Sequence, residues 1–194
     1  KPILIRIIEH YQKYGFKEFI IALGYKGHLI KKYFKKKQSY SNIKLINTGL
    51  KTMTGGRIKR LYKLLKNETF MMTYGDGLSD INIKKLLNFH KKSKKLVTMS
   101  VVRPPARFGF VKLKRGKVNY FKEKSKLDEG WINGGFFVME PNFLKYINGD
   151  STFLEKEPLE NLCKKNELVA YRHNGFWQCM DTIRDKEILE KKIN

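Results

Sequence analysis

The chain has 194 residues and 41% hydrophobic content, enough to bury one sizeable core, which excludes a disordered polymer. Its formal net charge of +23 leaves nucleic acid, a membrane surface and small anionic molecules open as partners. Cys163 and Cys179 stand in no metal-type spacing and exclude a disulfide scaffold, and no apolar run approaches the roughly 20 residues that span a bilayer.

Ile3, Leu4, Ile7, Ile8, Tyr11 and Tyr14 recur at helical spacing, with Gly15 as a stop. Phe19 to Gly24 is a continuous apolar run of strand length, the pattern of a strand covered on both faces in a parallel sheet. A short helix around Leu29 to Phe34 and a short strand from Ile43 to Ile46 follow. Thr54-Gly55-Gly56 opens a helix carrying Ile58, Leu61, Leu64 and Leu65, whose first N–H groups suit a negative or carbonyl partner. Phe70-Met71-Met72 reads as a buried strand, Thr73-Tyr74-Gly75-Asp76-Gly77 as a sharp turn, and Ile81 to Phe89 as a helix; Leu96 to Val102 is the next strand. This alternation predicts an α/β, Rossmann-like fold, a mixed but mainly parallel sheet with helices on both faces.

The pattern changes after Pro104-Pro105. Phe110 to Leu113 and Val118 to Phe121 alternate around Arg115-Gly116, predicting a hairpin with one face wet. Trp131 to Met139 is a long strand containing Gly134 and Gly135, and glycine weakens a strand unless something must come close. Short helices around Phe143 to Ile147 and Leu159 to Lys164, a strand from Leu168 to Tyr171, and a last helix from Ile183 to Leu189 complete the chain. No repeat or linker interrupts it, so residues 1–194 read as a single domain with a small antiparallel subregion.

The Lys-rich clusters, such as Lys31-Lys32 with Lys35-Lys36-Lys37, fall late in or just after helix patterns, where Lys complements the helix dipole, and read as solvated surface. No aromatic-basic motif of a known nucleic-acid module is present, so no specific nucleic-acid partner is expected. His10, His28, His90 and His173 form no ligand-type pair. With no leader visible, a cytoplasmic protein without a membrane partner is expected.

An acid flanked by glycines at a strand end, as in Gly75-Asp76-Gly77, has its carboxylate exposed and room beside it, the arrangement wanted by a hard metal ion that bridges phosphates; the plain alternative is an Asp capping the next turn. Further pieces are Thr52-Met53-Thr54-Gly55-Gly56-Arg57, Arg107-Phe108-Gly109, Glu123-Lys124, Asn133-Gly134-Gly135-Phe136-Phe137, and Phe176-Trp177-Gln178 with Met180-Asp181-Thr182. In this order and at these intervals they resemble the sugar-1-phosphate nucleotidylyltransferases, most nearly the cytidylyl branch, and the similarity runs from Lys1 to Lys186.

The resemblance implies Mg²⁺-dependent attack of a sugar-phosphate oxygen on the α-phosphorus of a nucleoside triphosphate, with CTP and glucose 1-phosphate giving CDP-glucose and pyrophosphate for surface polysaccharide. It implies Asp76 and Asp181 as the metal ligands, Lys124 as the cation on the sugar phosphate, and Glu123 as acceptor from sugar hydroxyls. Gly109 and Asn133 would line the sugar pocket in the antiparallel subregion, Thr52 and Arg57 would lie on the nucleotide side, and Gly75 would leave room beside Asp76. Plain readings stand beside these: Asp181 or Thr182 as cap of the last helix, Arg57 as an exposed first-turn charge, Glu123-Lys124 as a wet hairpin end, and Asn133-Gly134-Gly135 as a bulge. The rivals are another base or sugar, or a non-catalytic sugar-phosphate-binding relative; a homo-oligomer is compatible with all of them. Nothing in the chain matches the Gly-Gly-x-Gly-Thr-Arg loop with which the family begins, and the C-terminal tail stops early, so a piece of a longer protein, weakly active or inactive alone, is expected.

Overall fold

The structure, a computed structural model, describes residues 1–35, 40, 42–104, 110–122 and 130–193. It opens with helix α1 (Ile3–Lys13), which stops where Gly15, at φ +91°, donates its N–H to the Gln12 carbonyl. Strand β1 (Phe19–Leu23), helix α2 (Gly27–Lys35) and strand β2 (Ile43–Asn47) follow, and β1 and β2 pair in parallel.

A four-stranded sheet lies at the centre of the remaining chain. Its order is β3 (Phe70–Thr73), β8 (Ile132–Met139), β5 (Val97–Val102) and β9 (Leu168–His173). β5 and β9 are parallel, and β8 runs antiparallel to both of its neighbours, so β3, β5 and β9 point the same way. β8 is buried on both faces, as a central strand should be. Its Phe137 and Met139 join a cluster with Ile58, Phe143, Leu144, Leu154 and Leu162. Its Phe136 and Val138 join another with Ile7, Tyr11, Ile81, Ile83, Leu86 and Leu189, the residues of helices α1, α5 (Ile83–Ser93) and α7 (Ile183–Ile193) and the turn before α5. The fold is thus the expected mixed, mainly parallel α/β sheet with helices on both faces. Helix α1 joins its two pieces: Ile5 and Ile8 pack with Phe34 beside β1 and β2, while Tyr11 lies on Phe136 and its hydroxyl meets Thr73 Oγ1. No helix of the described residues is long and apolar enough to cross a membrane.

Several local expectations are corrected. β1 is half-buried with Ala22 exposed, because it pairs only with β2 among the described residues and lacks a central strand's double cover. The helix opened by Thr54 breaks at Leu61 into α3 (Thr54–Arg60) and α4 (Tyr62–Leu65), where the Leu61 N–H closes on the Ile58 carbonyl three residues back. β3 is half-buried along its length, and between its turn and α5 lies a short strand, β4 (Gly77–Ser79), held by β10 (Trp177–Cys179), a partner far away in sequence that no local pattern reveals. The hairpin of β6 (Phe110–Lys114) and β7 (Lys117–Lys122) turns through Arg115 and Gly116, both at positive φ, as expected. Both its faces are wet: Leu113, Val118 and Phe121 are each more than 60% exposed, and Lys112 lies over the Tyr120 ring on the other side.

His10 links α1 to the start of α5. Its Nε2 faces the Ile81 carbonyl at 2.8 Å, so the imidazole donates there. Burial pushes its pKa below the ordinary 6.5, against the opposing pull of that carbonyl. A lowered folded-state value means that the unfolded chain binds the proton first. The corresponding stability is therefore complete above about pH 6.5 and falls as the pH drops through that value, levelling off below the folded-state pKa. Denaturant melts at pH 7.5 and 5.5 should show a smaller pH difference for His10→Gln, which keeps a donor for Ile81, than for the natural sequence.

Candidate active site

The centre of the site is the open end of the β4–β10 ladder. These strands pair antiparallel with Cys179 opposite Gly77, and the ladder continues outward with the Met180 N–H on the Asp76 carbonyl at 2.8 Å. Asp76 precedes β4 and Asp181 follows β10, so both carboxylates arrive at the same end. Both side chains are exposed at their outer ends. The Asp76 carboxyl is held above its ordinary range, first by partial burial and then by the negative charge of Asp181. Asp181 Oδ2 accepts from the Cys179 thiol at 3.2 Å.

The cap of α7 is Thr182, which leaves Asp181 free of that duty. The Thr182 hydroxyl receives the Asp185 N–H at 3.2 Å, and Asp185 Oδ2 in return takes the Thr182 N–H at 3.0 Å and its hydroxyl at 2.8 Å. Asp185 is buried and also accepts from Gln178 Nε2 at 3.3 Å. The Phe176-Trp177-Gln178 run is in this way locked to the helix that follows Asp181.

Asn133-Gly134-Gly135 forms the bulge that was the plain reading of those residues. Between Met99 and Val101 on β5 the pairing with β8 jumps from Phe137 to Asn133. A bulge frees backbone groups from the ladder, and buried ones must find other partners. Trp177 Nε1 donates to the Gly134 carbonyl at 2.8 Å, the Tyr74 N–H to the Gly135 carbonyl at 3.0 Å, and the Phe136 N–H to Ser100 Oγ at 3.1 Å. Asn133 Oδ1 takes the Gly135 N–H at 2.8 Å. A Cβ on Gly134 would come within 2.8 Å of Ser100 Oγ, so the glycine makes that contact possible.

Asn133 is tied to the Asp76 turn. Its Nδ2 donates to the Tyr74 hydroxyl at 3.2 Å, and that hydroxyl donates to Glu155 Oε1 at 2.5 Å. Thr54 Oγ1 donates to Glu155 Oε2 at 2.7 Å. Asn133, Gly75, Asp76 and Asp181 thus share one end of the molecule, and Tyr74, Glu155 and Thr54 run from it to the start of α3. Tyr74 sits inside the motif, but its role and that of Glu155 are missed by sequence reasoning. No local signal exists for a contact between residues 101 apart.

Thr52 and Arg57 form a second group at the ends of β1 and β2. Arg57 Nη1 donates to the Leu23 carbonyl, Thr48 Oγ1 and the Gly49 carbonyl at 3.2, 2.7 and 3.0 Å, and is therefore not a free first-turn charge. Thr52 is buried, and its Oγ1 would lie 2.8 Å from a Cβ on Gly49. The N-terminus of α3 differs from expectation. The Met53 and Gly56 N–H groups bond the Asp150 and Thr152 carbonyls at 2.8 and 3.1 Å, so the chain itself supplies the carbonyl partner. Gly109, Glu123 and Lys124, like Arg107 and Phe108, lie outside the described residues.

Among the described residues no group of three or more His, Cys, Asp or Glu side chains could hold a metal ion. Asp76 and Asp181 are a pair, and a pair suits Mg²⁺, which keeps several waters and takes only one or two carboxylates beside substrate phosphates.

Comparisons with known proteins bear on the lineage of the chain. The sequence profile of the nucleotidyl transferase family matches residues 1–183. The glucose-1-phosphate cytidylyltransferase of Salmonella typhimurium is 43% identical over 213 residues, covering 98% of this chain and 83% of that protein. The D-glycero-alpha-D-manno-heptose 1-phosphate guanylyltransferase of Campylobacter jejuni is 34% identical over 168 residues, covering 86% of this chain and 72% of that protein. The crystal structure of HddC from Yersinia pseudotuberculosis in complex with GMP-PN covers all of this chain and 86% of its own with a TM-score of 0.77; at 21% identity that likeness is one of fold. A match through residue 183 and relatives at this identity settle the lineage: the chain belongs to the nucleotidyl transferase family, among its sugar-1-phosphate nucleotidylyltransferases.

Proposed function

We propose that the protein joins CTP and glucose 1-phosphate to give CDP-glucose and pyrophosphate, for surface polysaccharide synthesis in the cytoplasm. The observation that carries the reading is the convergence of Asp76 and Asp181 at one ladder end, with Asp76 disfavoured as an anion until a cation joins it. A phosphate oxygen of the sugar attacks the α-phosphorus in line. A new P–O bond forms, the bond to the β-phosphate oxygen breaks, and pyrophosphate leaves with that electron pair. Two anions must meet, so positioning and charge neutralisation dominate the chemistry.

Asp76 and Asp181 are the residues that would hold Mg²⁺, which would supply the positive charge that neutralises the phosphates as the two anions meet. Gly75 leaves open space beside Asp76, since a Cβ there would meet nothing within 4 Å. By the family resemblance, Lys124 would neutralise the sugar phosphate, Glu123 would accept from sugar hydroxyls, and Gly109 and Asn133 would belong to the sugar pocket. Thr52 is on the nucleotide side, where Arg57 holds the ends of β1 and β2 together.

Pyrophosphate release by the complete protein with CTP and glucose 1-phosphate tests the reading, against UTP, GTP and dTTP as competing bases. Lys124→Ala should weaken glucose 1-phosphate binding about ten- to a hundredfold, one lost charge-assisted contact. That binding should survive physiological salt, whereas binding of a DNA duplex through scattered Lys should not. No turnover with any base, with salt-resistant DNA binding in its place, would sink the assignment.

A further inference from the structure

Tyr74 stands between two groups of opposite demands. A carboxylate only accepts, so Glu155 Oε1 takes the Tyr74 proton at 2.5 Å. Thr54 holds the other carboxylate oxygen at 2.7 Å while receiving the Leu154 N–H at 2.9 Å. With its proton committed, the Tyr74 oxygen offers only lone pairs, and what meets it at 3.2 Å must be the Asn133 NH₂ and not its carbonyl. The Gly135 N–H can only donate, and it meets Asn133 Oδ1 at 2.8 Å. Both ends of the amide are therefore set by groups of a single polarity, leaving one N–H and one oxygen lone pair of Asn133 for a ligand. The ring that carries the hydroxyl is itself fixed. It meets Phe137 edge-on at 5.8 Å, and it lies over Gly135, where φ is +77° and a Cβ would approach Tyr74 Cδ2 to 2.8 Å.

We propose that Tyr74 is a positioning residue for the sugar subsite: anchored by Glu155, its hydroxyl fixes the direction in which the Asn133 amide faces the sugar phosphate. This rests on the reading of Asn133 as a sugar-pocket residue. Tyr74 acts through Asn133, 59 residues away from it in the chain but next to it where β3 pairs with β8, and the same chain of hydrogen bonds ends at the start of α3. The sugar side and the nucleotide side are thereby braced against each other through Glu155 and Thr54.

Asn133→Ala in the complete protein decides the underlying reading: the KM for glucose 1-phosphate should rise about tenfold or more. Tyr74→Phe keeps the ring and removes only the hydroxyl. It should raise the KM for glucose 1-phosphate about three- to tenfold, the loss of one neutral hydrogen bond, with kcat and the KM for CTP within about twofold of the natural protein. In combination with Asn133→Ala it should add nothing. Glu155→Gln, which can donate as well as accept and so releases the polarity, should move the same KM in the same direction, and it carries the test if Tyr74→Phe does not fold. An unchanged KM in both variants, an equal rise in the CTP KM, or additivity in the double variant overturns the inference and leaves Asn133 in place. An unchanged KM in Asn133→Ala overturns the sugar-pocket reading and the inference with it.

Discussion

Asp76→Asn in the complete protein is expected to cut kcat/KM on the order of a thousandfold while the melting temperature holds or rises. Removing one hard ligand forfeits several kcal/mol of charge stabilisation on the transferring phosphate. Stability moves the other way because the Asp76 carboxyl sits above its ordinary range, through burial and then Asp181. A raised folded-state value means that the favourable, protonated form is present at low pH and is lost as the pH rises through that value. At neutral pH the ionised group is a cost, and Asn removes it. The same cost is removed by a cation, so Mg²⁺ should raise the melting temperature of the natural protein and not that of Asp76→Asn. Asp181→Asn should match the activity loss. Near-normal kcat in both variants at saturating Mg²⁺ would show that the metal is held elsewhere.

Gly56→Ala is expected to be the most damaging small substitution to the fold. Its added Cβ would lie 2.4 Å from the Asp150 carbonyl oxygen and 2.6 Å from the Asp150 Cα. The obstacle is backbone, which cannot swing aside, so a cost of about 3 kcal/mol is expected, with a fall of roughly 6–12 °C in Tm for a domain of this size. Gly75→Ala is the control, since its Cβ meets nothing within 4 Å. It should leave Tm within a degree or two and affect only substrate binding. Scanning calorimetry of the two variants separates them, and equal Tm values would contradict the packing of α3 on residues 149–154.

The same comparison shows what sequence reasoning can reach. Periodicity locates α1 and α5 because Ile7, Ile8, Tyr11 and Leu86 lie on faces that are in fact buried. It misses β4, three residues long, because the order of that strand comes from its pairing with β10 and not from its own residues. The continuous helical pattern of residues 54–65 does not show the break at Leu61, where the N–H closes on the Ile58 carbonyl. Within the site, the turn that exposes Asp76 is legible in Gly75-Asp76-Gly77, whereas Asp181, with no glycine beside it, is reached only through the family resemblance. The start of α3 reads as suited to a negative or carbonyl partner, and what the sequence does not show is that the carbonyls come from residues 150–152 of the chain itself. Alternation in the β6–β7 hairpin reports amphipathicity but not whether anything covers the apolar face, and Leu113 and Phe121 remain exposed.

The seating of residues 150–155 on α3 also sets a timetable for synthesis. Thr54 and Gly56 wait for Glu155 and Asp150, and Thr54 meets its carboxylate only after a further 101 residues have been added. At about 5–20 residues per second, that is some 5–20 s during which the glycine face of α3 has left the ribosome with nothing to pack against. β3 waits in the same way for β8, and its edge stays open until Met139 is made. The N-terminal half is thus an obligate client of its own C-terminal half, and the interval between them is the period in which the nascent chain most needs a chaperone's cover.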